Sequence, residues 1–131
     1  MQDDMSKEDF WKTIQYFKCS EFDSPDVVSS GENMNWDFVR FLDCARHMCN
    51  FPFLVKSGFR TLKENISSGG SDNSAHLRGF AADVTAWTSQ RKYKIIKVSV
   101  RLGIKRIGVY VGHIHLDIDD SLPSDVIWYG K

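Results

Sequence analysis

The spacing of apolar positions changes along the chain, and the changes mark its elements. Phe10, Trp11, Ile14 and Phe17 recur at helical spacing and predict a short first helix. The polar stretch SPDVVSSGEN follows, and its Pro, Ser and Gly mark irregular structure. From Asn35 to about Cys49 the same spacing returns in Phe38, Phe41, Leu42, Ala45 and Met48, which predicts a second helix with one apolar face, ended before Pro52. PFLVKSGF is short and apolar enough for a strand ending at Gly58. The next stretch, TLKENISSGGSDNS, is too polar for core and too long for a tight turn, so it reads as a long surface loop of the kind that carries function. FAADVTA at residues 80–86 predicts another strand. Ser89 then opens a helix as its N-cap and Gly103 closes it, with Tyr93, Ile96 and Val100 on the expected buried face. IKRIGVYV and HIHLDID are two further strand-like runs separated at Gly112, and SLPSDVIWYGK brings Trp128 and Tyr129 to the end of the fold. Helices segregated from a largely antiparallel sheet make an α+β architecture.

Composition narrows the function classes. At 131 residues the chain can bury one good core, so residues 1–131 are expected to form a single domain, with no internal repeat or linker. Apolar residues at 42% supply enough burial to offset the entropy of ordering. The 17 basic and 17 acidic residues cancel, and neither sign forms a block, which argues against nucleic-acid binding and against an anionic membrane surface. No apolar run approaches the roughly 20 residues that span a bilayer. A monomer without membrane insertion is therefore expected. The N-terminal MQDDMSKEDF is acidic and lacks an apolar run, so it is no secretory signal, and synthesis in the cytoplasm is the expectation. An odd cysteine count, Cys19, Cys44 and Cys49, argues for reduced thiols. Cys44 and Cys49 fall in one predicted helix at a spacing unlike a zinc knuckle, so both are expected as buried free thiols.

Metal-capable side chains concentrate in two segments. One is Ser74-Ala75-His76-Leu77-Arg78-Gly79-Phe80-Ala81-Ala82-Asp83, and the other is His113-Ile114-His115-Leu116-Asp117. Zinc takes His nitrogen and carboxylate oxygen in tetrahedral sites, and a catalytic site keeps three protein ligands and one open position. Two His and one Asp meet that count. Side chains alternate along a strand, so His113, His115 and Asp117 share one face while Ile114, Leu116 and Ile118 share the other. A polar face backed by an apolar one suits a cleft over a core. Gly79, Ala81 and Ala82 are small enough for the backbone to turn out of the loop into a packed strand, which lets His76 and Asp83 converge.

The segment SAHLRGFAAD resembles the SxHxxGxAxD motif of the zinc D-alanyl-D-alanine carboxypeptidase family, whose fold is shared with the hedgehog signalling domain, and HIHLD resembles that family's second zinc motif. Upstream, Ser57-Gly58-Phe59-Arg60-Thr61 with Asn65 is similar to its SGYR-type segment. FKCSEFDSPD is similar to the start of small bacterial and phage members, so the resemblance runs from about Tyr16 to Trp128. It implies a hedgehog/DD-peptidase-like fold and one Zn2+ per chain held by His76, Asp83 and His115. It also implies that Arg60 binds substrate, where a guanidinium can pair with a carboxylate, a peptide carbonyl or a forming oxyanion. Ser74, in the loop that shapes the cleft, is a further substrate-binding candidate.

Many relatives carry a Glu or His three to six residues before the last ligand, but here Tyr110, Val111 and Gly112 precede His113 and His115. The general base then falls to Asp117 or His113, with Asp117 the first choice and His113 the oxyanion donor; Asp117 could instead orient a ligand His. The implied activity is hydrolysis of peptidoglycan stem peptides or cross-links at the cell wall, as carboxypeptidase or endopeptidase, and a phage lytic enzyme fits it. The rival expectation is a non-catalytic module that keeps the fold and the zinc.

Overall fold

The structure, a computed structural model, describes residues 4–131; the first three residues of the acidic N-terminal stretch lie outside the described residues. In chain order the helices are α1 (Lys7–Thr13), α2 (Trp36–Cys49), α3 (Leu62–Ser67) and α4 (Ser89–Arg101). The strands are β1 (Val55–Ser57), β2 (Ala81–Thr85), β3 (Arg106–Val109), β4 (His113–Asp117) and β5 (Val126–Tyr129). Short 3-10 turns at Cys19–Phe22, Ser30–Asn33 and Ala75–Arg78 complete the described elements. The strands form one sheet in the order β1-β2-β4-β3-β5. Every pairing is antiparallel except that of β3 with β5. This is the expected α+β architecture. Among the described residues no helix is long and apolar enough to cross a membrane.

The sheet divides the molecule into a core side and a cleft side. Ala82 and Val84 of β2, Ile107 of β3, and Ile114 and Leu116 of β4 point into the core. There they meet Phe38, Val39, Leu42 and Ala45 of α2 and Ile95 and Val98 of α4. Both helices are held at their starts: Asn35 accepts the Phe38 N–H, and Thr88 accepts the Arg91 N–H. The N-terminal segment seals one edge, where the Phe10 ring stacks on Trp36 with centroids 4.5 Å apart.

Four local expectations need correction. Helix α1 stops at Thr13, so Ile14 and Phe17 reach the core from the segment that follows it rather than from a helix. In α4 the N-cap is Thr88, and the buried stripe is Ile95, Val98 and Ser99, with Tyr93 and Val100 exposed. That helix carries apolar residues on more than one face, so spacing alone does not say which face meets the sheet. The stretch 61–74 is not all loop: Thr61 accepts the Glu64 N–H and starts α3, a capping signal present in the sequence. Of the cysteines expected to be buried, Cys49 is buried and Cys44 is exposed; all three are free thiols, and Cys19 is partly buried, its thiol pushed up to about 11 by burial and by Asp23 and Glu32.

Candidate functional site

The cleft side of the sheet gathers the two motif segments. Asp83 of β2 and His115 of β4 are directly opposed across the central strand pair, which puts both side chains on the same face. His113 and Asp117 lie on that face too, two residues to either side of His115 along β4. His76 arrives from the Ala75–Arg78 turn just before β2. Ser74 begins that turn, its hydroxyl accepting the His76 N–H at 3.2 Å, and Gly79 ends it. Gly79 has φ +74°, and a Cβ there would lie 2.2 Å from the Asn33 carbonyl oxygen. Only glycine serves at this corner, because left-handed backbone and close approach are both required.

One ligand atom each from His76, Asp83 and His115 lies within 4.8 Å of the others. His76 Nε2 is 3.3 Å from Asp83 Oδ1, and His115 Nδ1 is 2.9 Å from the same oxygen. Tetrahedral zinc with bonds of about 2.0–2.2 Å sets neighbouring donors about 3.3–3.6 Å apart; the His76–Asp83 pair stands at that spacing and the His115–Asp83 pair slightly inside it. The far ring nitrogens are also engaged. His76 Nδ1 donates to the Gly58 carbonyl at 2.7 Å, and His115 Nε2 donates to Asp117 Oδ2 at 2.7 Å. Each bond ties up the outer nitrogen, so that the inner one is the nitrogen whose lone pair faces the shared centre once it is deprotonated.

Arg60 reaches the same centre from the turn after β1. Its Nη2 lies 3.3 Å from Asp83 Oδ2, its Nε donates to Ser57 Oγ at 2.9 Å, and its Nη1 donates to Asn65 Oδ1 at 3.2 Å. The second hydrogens of Nη1 and Nη2 remain for a substrate oxygen. Asn65 is buried and its amide donates to the Ser71 carbonyl, so it ties Arg60 to the loop that rims the cleft.

The two base candidates occupy different positions. Asp117 is fully buried, at 0% exposure. Its Oδ2 takes the His115 proton, and its Oδ1 takes Arg106 Nε at 2.7 Å and the Asp119 N–H at 3.1 Å. It therefore sits beyond His115, on the opposite ring nitrogen from Asp83. His113 is partly exposed in the cleft, with Nε2 3.8 Å from Asp83 Oδ2 and Nδ1 3.5 Å from Lys56 Nζ. The cleft itself has a volume of about 760 Å³ and includes Arg60, Ser74, Tyr110 and Trp128 in its walls.

Arg106, Tyr110 and Trp128 were not among the residues expected at the site. For the first two a signal exists: alternation in RIGVY puts Arg106, Gly108 and Tyr110 on one face, and β3 pairs with β4. Trp128 had no local signal, because its place depends on β5 pairing in parallel beside β3.

Burial disfavours a charged Asp83, but hydrogen bonds and charge interactions from His115 and His76 outweigh it and hold the carboxyl well below the usual range. Burial likewise pushes His115 down, yet Asp117 and Asp83 on its two nitrogens win and raise it. His113 is lowered, chiefly by burial and with help from Lys56, against the pull of Asp83. In the metal-free protein His115 thus keeps its proton above the ordinary imidazole value of about 6.5. The stabilisation carried by that proton is full below about 6.5 and is lost as pH rises through the raised folded value. A metal ion at Nδ1 must displace the same proton. Zinc affinity, measured by competition with a chelating dye between about pH 6 and 8, should therefore rise steadily with pH; a flat profile would exclude proton displacement at His115.

The match to known proteins follows the same residues. No curated protein sequence matches the chain at a significant level. The family model described as Peptidase M15 matches residues 15–117, a span that runs through both motif segments and stops at the end of β4. With most of its length covered by that match, the chain belongs to the M15 peptidases, the zinc-dependent D-Ala-D-Ala carboxypeptidase-type metallopeptidase family.

Proposed function

We propose that residues 1–131 form one zinc peptidase domain that hydrolyses peptide bonds in peptidoglycan stem peptides or cross-links, with His76, Asp83 and His115 as the ligands of one ion per chain. The convergence of these three donors at an open cleft, in a chain of the M15 family, carries the reading. Bound zinc supplies acidification of water and polarisation of the scissile carbonyl. The protein does the rest. Arg60, anchored on Ser57, Asn65 and Asp83, presents its free N–H groups to the substrate carbonyl or to the oxyanion that forms from it. Ser74 stands in the same wall.

His113 is the general base in this reading, and the first choice of Asp117 is revised. A base must reach the attacking water, and Asp117, although it borders the cleft, is fully buried with both oxygens already accepting from His115, Arg106 and the Asp119 N–H. His113 opens onto the cleft, and burial favours its neutral form, which can accept a proton and return it to the leaving amine. Asp117 instead holds His115 in the tautomer that ligation needs.

Digestion of purified peptidoglycan, with products identified by mass spectrometry, tests the activity. New free amino and carboxyl groups should form, a chelator should stop their formation and added zinc should restore it. Zinc-loaded protein that binds peptidoglycan without cleaving it would identify a binding module of the same fold.

A further inference from the structure

Two of the cleft imidazoles are fixed by a hydrogen bond from the ring nitrogen that faces away from the shared centre, His76 to Gly58 and His115 to Asp117. His113 is held differently. Its polar neighbours Lys56 and Asp83 stand at 3.5 and 3.8 Å, too far to set the ring plane. Its ring instead lies on Tyr110, with centroids 4.4 Å apart and planes 10° from parallel.

Tyr110 is itself clamped from the end of the chain. Its hydroxyl accepts Trp128 Nε1–H at 3.0 Å. The Gly130 backbone packs so closely on the ring that a Cβ there would come within 1.9 Å of it, and the Gly130 N–H is bonded to the Val109 carbonyl. The Tyr110 N–H also closes the β3–β4 hairpin on the His113 carbonyl at 2.9 Å, so stack and hairpin restrain the same residue. Trp128 and Gly130 lie in and just after β5, beyond residue 117, where the family match ends.

We propose that Tyr110 is a positioning residue that sets the ring plane of His113, its own ring held mainly by the close-packed Gly130 backbone after β5 and only secondarily by the Trp128 bond. The proposal rests on the reading of His113 as the base. A stacked ring restricts rotation about the last His113 torsion without occupying either nitrogen. The ring is thus held without a strong anchor on Nε2, which leaves that nitrogen available for proton transfer.

The test compares Tyr110→Leu, which removes the ring, with Tyr110→Phe, which keeps the ring and loses only the Trp128 bond. With soluble muropeptides as substrate, Tyr110→Leu should lower kcat about tenfold with KM and zinc content unchanged, as expected for a misoriented catalytic group. Tyr110→Phe should stay within about twofold of wild type. An independent readout is the proton NMR spectrum of the His113 ring, assigned by its disappearance in His113→Gln. The ring current of Tyr110 should move these resonances upfield in the wild-type protein and in Tyr110→Phe, and the displacement should vanish in Tyr110→Leu. Undisplaced resonances in the wild type overturn the stack without need of any Tyr110 variant. Full kcat in Tyr110→Leu, or loss of zinc from it, overturns the positioning role alone. Absence of hydrolysis by the wild-type protein overturns the peptidase reading, and this proposal with it.

Discussion

Replacing His115 with alanine should abolish zinc binding and reduce hydrolysis to background. The side chain links three groups: its Nδ1 faces Asp83 Oδ1 at 2.9 Å, its Nε2 donates to Asp117, and its ring stands edge-on to His76. On the proposed ligand set its removal leaves two donors, which hold the ion poorly. It also leaves the buried Asp117 carboxylate with Arg106 and the Asp119 N–H but without the imidazole it was placed to meet. His76→Ala should behave alike toward zinc, although there the group left without its donor is the Gly58 carbonyl. The drop in activity should exceed the roughly 10- to 100-fold that follows loss of a ligand's outer hydrogen-bond partner. Metal content after dialysis, measured beside turnover, decides the point: a full equivalent of zinc in either variant would remove that residue from the ligand set.

His113→Gln and Asp117→Asn should separate chemistry from metal retention. Glutamine keeps a polar side chain of similar reach but cannot take a proton at neutral pH, so kcat should fall by about 10²- to 10⁴-fold with zinc content unchanged. Asp117→Asn keeps an acceptor for His115 Nε2 but removes the charge that balances Arg106, whose Nε lies 2.7 Å from it in a buried setting. Zinc affinity should then fall roughly 10- to 100-fold, and excess zinc should recover much of the lost turnover. Zinc titrations of activity on both variants give the comparison. If Asp117→Asn stays inactive at saturating zinc while His113→Gln turns over normally, the base is Asp117, the first choice from the sequence.

Strand periodicity is a local property, and it carried the central facts of the site. Alternation in HIHLD is enough to put His113, His115 and Asp117 on one face and Ile114 and Leu116 in the core, and the fold keeps that arrangement. The spacing of His76, Gly79 and Asp83 is likewise local, because a turn that needs glycine separates the 3-10 segment bearing His76 from the strand bearing Asp83. Helix α2 follows from its apolar stripe and its Asn35 cap for the same reason.

Depth and partnership are not local. Asp117 and His113 share a face and a residue spacing from His115, yet Asp117 is fully buried with both oxygens engaged and His113 is partly exposed in the cleft. The difference comes from Arg106 on the neighbouring strand and from the backbone after β4, which close over Asp117. Only the sheet order β1-β2-β4-β3-β5 brings Arg106 there, and only the parallel pairing of β5 sets Trp128 against Tyr110. The buried face of α4 was decided the same way, by which of its apolar stripes met the sheet. A periodic pattern specifies which side chains point together, whereas their neighbours, and hence their protonation and reach, come from strands distant in sequence. The chain itself determined which residues share a face with His115, and tertiary pairing decided how deeply each is buried and which partners it meets.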